Sequence, residues 1–369
     1  MDGVAERSFA RRAALARGLV AISSFILVAL VGTRIAVGGT MERAHFAVIG
    51  AIPAKAGLWD YAAVDPESRR LYLADAGVLA LDLATRQVIP RLVPGNLTHG
   101  IVPLGHGIVA VADGTRRQVV LFEGETGRIL GKISTGNPPS ADDWHNPDAM
   151  VVEPKTGELI AVNGDSGTLA LIDLRKNVVA SVIRVGGKLE FAAAGNGGIV
   201  YVNVESRNQL AVVDVPERRV SRRIPLPGCE EPTGLAYDPE FDLVISACGN
   251  GMAEFLRAET GDLAARVRIG KGCDAVVLDA PRGLVYFPAG DNGYLSIVAL
   301  RDPGKIHVAQ RLRTALGVRL GAVDPATGIL YLPAVKYDPA APRIRLPGLP
   351  ALPAPLSGSF RFLMVARQP

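Results

Sequence analysis

Six ionisable side chains and one hydroxyl in this 369-residue chain are placed for chemistry: Asp60, His99, Asp148, Glu190, Thr233, Asp274 and Arg319. Their residue numbers differ by 39, 49, 42, 43, 41 and 45. An imidazole with hard carboxylate oxygens beside it is a donor set for a divalent cation, so His99, Asp148 and Glu190 are candidate ligands for one ion, calcium or zinc. Asp142, Asp143 and His145 lie just upstream of Asp148 and can add donors. Without an ion, neighbouring Asp148 and Glu190 repel. One of them then holds its proton and can work as general acid or base, with His99 beside them as the third catalytic candidate. A purely structural role competes. Signs alternate over much of the series, and paired charges can hold a fold together without binding anything. Trp59 and Trp144 are the only tryptophans. Each can stack on a ligand or pack between elements.

The elements that carry these residues repeat. A short apolar segment ends in an acid, often followed by Pro, then a turn and an alternating run. The copies include Tyr61-Ala-Ala-Val-Asp65-Pro66, Ala149-Met-Val-Val-Glu153-Pro154, Gly234-Leu-Ala-Tyr-Asp238-Pro239, Ala275-Val-Val-Leu-Asp279 and Leu320-Gly-Ala-Val-Asp324-Pro325. Degenerate copies start at Gly100 and Phe191. Period-two alternation, β-branched residues and Gly/Asp turns predict strands, four per repeat. A repeat of this length with no helices between strands predicts an all-β, seven-bladed β-propeller of four-stranded blades. The blades start near residues 60, 99, 148, 190, 233, 274 and 319. The seventh copy lacks a fourth strand. The orphan strand at residues 45–52 supplies it, so the N-terminal strand closes the ring and removes an unpaired edge. Residues 338–357 hold six prolines and are expected to form a long exposed loop. At the start of each first strand, the seven polar positions fall at the mouth of the central channel, with Trp59 beside them.

Residues 1–40 read as a signal peptide or an uncleaved N-terminal anchor, and residues 41–369 as the propeller. Arg7, Arg11, Arg12 and Arg17 precede an apolar run, Gly18 to Gly32, the right length for a signal h-region. The remainder is then extracytoplasmic, periplasmic or secreted, with any membrane contact made through the N-terminal segment. Without those forty residues the net charge falls from +4 to +1, because 35 basic and 34 acidic side chains remain. That balance makes nucleic acid an unexpected partner, although Arg218, Arg219, Arg222 and Arg223 cluster. Three cysteines are too few for a disulfide framework. Cys229 and Cys248 share one repeat and can pair, leaving Cys273 free; three buried thiols are the alternative. No GxSxG, HExxH or Walker motif occurs.

The repeats, together with Trp59-Asp60-Tyr61, Asn146-Pro147-Asp148-Ala149, Cys229-Glu230-Glu231-Pro232-Thr233-Gly234 and Gly328-Ile-Leu-Tyr331-Leu-Pro333, resemble the YVTN-repeat β-propeller family from about residue 45 to the end. The resemblance implies an exported propeller and assigns no activity. The expectation is a monomer that binds a small molecule or protein partner at the channel mouth without catalysis. The alternative is a hydrolase similar to propeller lactonases, with a metal held by the polar ring.

Overall fold

A computed structural model describes residues 45–57, 59–136, 146–301, 305–344 and 352–368. Residues 1–44, which include the expected signal or anchor segment, and Asp142, Asp143, Trp144 and His145 lie outside the described residues. The chain forms seven four-stranded antiparallel sheets. Six are consecutive meanders, from Ala62–Asp65 in blade 1 through to His307–Arg313 in blade 6. Blade 7 is composite. Its strand order is Ala322–Val323, Leu330–Ala334, Arg361–Arg367 and, outermost, Phe46–Pro53. The strand from the N-terminal side pairs antiparallel with Arg361–Arg367 and closes the ring, as the repeat count requires.

Within each blade, burial follows position. The second and third strands are covered on both faces by neighbouring blades and read as unbroken apolar runs, such as Leu159-Ile-Ala-Val and Leu169-Ala-Leu-Ile. The fourth strand alternates, as in His307–Arg313. In all six meander blades the pairing of third with fourth strand slips, by one residue in five of them, for example between Leu171 and Ile172 and between Val212 and Val213, and by two in blade 1 between Val78 and Ala80. Such bulges add twist at the outer edge.

The recurrent acid is a structural device. Asp65 accepts hydrogen bonds from the Glu67 amide and Ser68 Oγ, Glu153 from the Lys155 and Thr156 amides, and Asp324 from the Ala326 amide and Thr327 Oγ1. Each caps the turn between first and second strands. Arg69 Nη2 reaches Asp324 at 2.9 Å, linking blade 1 to blade 7. Within the Pro-rich segment, expected to form a long exposed loop, the described residues carry a short ladder. Arg343–Ile344 pairs with Leu352–Pro353, and Tyr337 bridges Pro355. A two-residue edge ladder asks for few amide donors, so proline is tolerated there.

Candidate functional site

Each ring residue stands just before or at the start of its first strand, and backbone bonds fix it there. Asp60 N donates to Ala74 O at 3.0 Å, and Asp148 N to Val162 O at 2.7 Å. Neighbouring blades are tied through the same backbone: Gly100 N donates to Asp148 O at 2.9 Å, and Asp274 N to Arg319 O at 3.0 Å. Glycine is required at two of these crossings. A Cβ on Gly100 would lie 2.5 Å from Asp148 O, and one on Gly234 would lie 2.6 Å from Val276 N. Asn203 Nδ2 donates to the Thr233 and Gly234 carbonyls from the preceding blade.

The structure brings together Asp60, His99 and Asp148, whose donor atoms lie within 4.8 Å of one another. His99 Nδ1 donates to Asp60 Oδ2 at 2.7 Å and stands 3.8 Å from Asp148 Oδ1. His99 and Asp148 are buried, and Asp60 is partly exposed. This corrects the expected trio, because Asp60 takes the place of Glu190. His99 sits on blade 2, between the blades of Asp60 and Asp148. The Glu190 carboxylate turns instead to Lys188 Nζ at 2.9 Å. Lys188 also pairs with Glu205. On the other side, Arg319 Nε reaches Asp274 Oδ2 at 3.0 Å, while Arg319 Nη2 lies 3.8 Å from Asp60 Oδ1 and donates to the Trp59 carbonyl.

The fields follow from this geometry. Burial, then Asp148, pushes the Glu190 carboxyl well up, against the pull of Lys188. Burial also raises Asp274, partly offset by Arg319. Burial works to lower the Lys188 ammonium, but Glu190 and Glu205 outweigh it and raise it. Tyr61 stands among these groups. Burial, then Asp148, Asp60, Glu190 and Asp274, raises its phenol well above the ordinary value. Its hydroxyl makes no hydrogen bond among the described residues.

Other expected residues are occupied by packing. Thr233 Oγ1 donates to the Cys273 carbonyl at 2.9 Å. Trp59 packs edge-to-face on Phe360 at 5.1 Å. Cys229 and Cys248 form a disulfide. Cys273 is a buried free thiol, pushed up by burial and then by Asp274. In the arginine cluster, Arg218 pairs with Glu158, Arg222 donates to the Ala258 and Glu259 carbonyls, and Arg223 donates to the Val185 carbonyl.

Four residues that interact with the ring positions or directly follow them escaped the sequence reading as functional: Tyr61, Lys188, Phe191 and Glu205. Lys188 is two positions before Glu190, the same-face spacing of extended chain, which is a usable signal. Tyr61 and Phe191 follow ring residues directly. Their rings stack at 4.5 Å with an interplanar angle of 25°. They belong to blades 1 and 4, three steps apart round the ring, so the contact crosses the axis. No sequence spacing announces that. Beside them lies a cavity of about 220 Å³ lined by the first strands of blades 1, 6 and 7 and by Phe191.

No known protein family matches the chain, and no curated protein does. Solved structures do match. The Kuenenia stuttgartiensis hydrazine synthase structure aligns with TM-score 0.62 at 13% identity, over 76% of this chain and 94% of that one. A chain of a mitotic checkpoint complex aligns with TM-score 0.67 at 13% identity, over 84% and 96%. Identity this low carries the architecture alone, and both likenesses agree with the blades described above: the chain folds as a seven-bladed β-propeller.

Proposed function

We propose that this chain is an exported propeller of the YVTN-repeat kind that binds a small cationic ligand at its channel mouth, without catalysis. One observation carries the reading. Five carboxylates, Asp60, Asp148, Glu190, Glu205 and Asp274, share the mouth with two fixed cations, Lys188 and Arg319, and with His99. Like charges confined in a partly desolvated opening repel and draw in a counter-cation. The Arg-rich start and the apolar run at Gly18 to Gly32 support export. The near-neutral balance beyond residue 40 supports a small-molecule or protein partner over nucleic acid.

The test is calorimetry on the full-length chain with methylammonium, Zn²⁺, Ca²⁺ and acetate. Binding of at least one cation and not of acetate, weakened tenfold or more in Asp148→Asn, is the expected result. No response to any cation would overturn the proposal.

A second reading rests on the proximity of Asp60, His99 and Asp148. These residues would hold one divalent ion, and the mouth would act on esters or lactones. One imidazole with two carboxylates suits zinc better than calcium, which takes six to eight oxygens. The bound ion would polarise an ester carbonyl and acidify water. His99 gives up its Nδ1 proton in that arrangement, so occupancy falls at low pH. Stoichiometric zinc with lactone turnover that is lost in His99→Gln would favour this reading over pure binding.

A further inference from the structure

We propose that the ligand is an organic ammonium with an apolar body, its charged head among the mouth carboxylates and its hydrocarbon in the cavity one residue deeper. This rests on the cation-binding reading above and adds the ligand's chemical class.

The cavity and the ring are neighbours along the chain. Tyr61, Phe191, Ala275 and Leu320 line the cavity. They directly follow Asp60, Glu190, Asp274 and Arg319 in sequence. From there the cavity runs along the first strands of blades 6 and 7 to Leu278 and Val323. Every side chain that lines it is apolar except the Tyr61 phenol. At roughly 30 Å³ for a group the size of a water molecule, its 220 Å³ accept about seven heavy atoms.

An inorganic ion draws all its ligands from the ring and gains nothing from such a wall. A hydrocarbon gains from that wall and nothing from the ring. The two surfaces meet at one residue. The Tyr61 ring lines the cavity and stacks on Phe191, and its buried hydroxyl, without a hydrogen-bond partner among the described residues, lies in the field of four mouth carboxylates. A primary ammonium at this junction can donate to the phenol oxygen and to carboxylates together. The aromatic pair then flanks the first methylenes and adds cation–π attraction. Neither a metal ion nor a neutral apolar molecule uses both compartments.

The experiment is calorimetry on the full-length chain with methyl-, butyl- and hexylammonium, with 1-hexanol and hexanoate as controls and Zn²⁺ in parallel. The expected Kd tightens about fourfold per methylene from methyl- to hexylammonium. Hexanol and hexanoate bind at least tenfold more weakly than hexylammonium. Ala62→Leu, which fills the cavity from blade 1, weakens hexylammonium tenfold or more. Leu278→Phe, from blade 6, does the same if Ala62→Leu fails to fold. Equal affinity for methyl- and hexylammonium overturns the inference and leaves cation binding at the mouth intact. Hexanol binding as tightly as hexylammonium also overturns it. A response to Zn²⁺ alone overturns it in favour of the metal reading. Silence to every cation overturns both proposals.

Discussion

Removing Arg319 asks whether the channel mouth is held by its ion pairs. Arg319 stands 3.0 Å from Asp274 and 3.8 Å from Asp60, and its side chain is about one-fifth exposed. A unit pair at 4 Å is worth about 4 kcal/mol gross at an effective dielectric of about 20. Desolvation and residual solvent screening return about half, so the Arg319–Asp274 coupling is about 2 kcal/mol. Arg319→Ala costs more, about 3 kcal/mol, because it leaves Asp60 as well as Asp274 without its guanidinium. With an unfolding entropy of about 2.1 cal/mol/K per residue over a domain of roughly 300 residues, that is a fall in Tm of about 5 °C. The assay is urea unfolding of wild type, Arg319→Ala, Asp274→Ala and the double variant. The double variant is expected to be about 2 kcal/mol more stable than the sum of the single losses. Additivity within about 0.5 kcal/mol would show that the pair is not coupled and refute the argument.

Three further predictions follow from the same geometry. The Glu190 carboxyl sits well above its ordinary value of 4.5 because of burial and Asp148, so the folded state binds its proton more tightly than the unfolded state. Stability from this group is therefore whole below that value and lost as pH rises towards the folded pKa. Glu190→Gln should gain stability relative to wild type as pH rises, read as urea midpoints across the range. An opposite slope would mean that Lys188 dominates. The Cys229–Cys248 disulfide closes a loop with a sequence separation of 19. Replacing both cysteines with alanine should cost about 3 kcal/mol, or about 5 °C in Tm, and reductant should lower the wild-type Tm by a similar amount. An unchanged Tm would count against the pairing. Deleting residues 45–53 removes the outermost strand of blade 7, with buried Phe46 and Ile52. The exposed edge of Arg361–Arg367 should then drive aggregation, seen by light scattering. A soluble variant with wild-type Tm would contradict closure by that strand.

The architecture was legible because it is written periodically. Each first strand must leave the axis, meet a capped turn and return, so acids such as Asp65 and Asp324 recur at fixed offsets from the polar ring positions. The missing fourth strand of the last repeat and the spare strand near residue 46 could be matched by counting. Position in the repeat likewise places Asp60, His99, Asp148, Glu190, Thr233, Asp274 and Arg319 on one rim. In the Pro-rich segment, proline argues against long strands but leaves a two-residue ladder open, as at Arg343–Ile344 and Leu352–Pro353.

Sequence by itself determined the blade count, the closing strand and the seven equivalent register positions at the first strands, since all three follow from spacing along the chain. Tertiary structure alone decided how those residues divide. His99 bonds to Asp60, Glu190 turns away to Lys188, and Thr233 is spent on the Cys273 carbonyl. It also decided that Tyr61 meets Phe191 across the axis and that small side chains such as Ala62 and Ala275 leave a cavity beside them. The physical reason is range. Strand periodicity and turn chemistry act over a few residues and leave a repeating trace. The direction of a carboxylate, the field at a phenol and the room beside it are set by side chains from three or four blades at once, and no local pattern encodes their meeting.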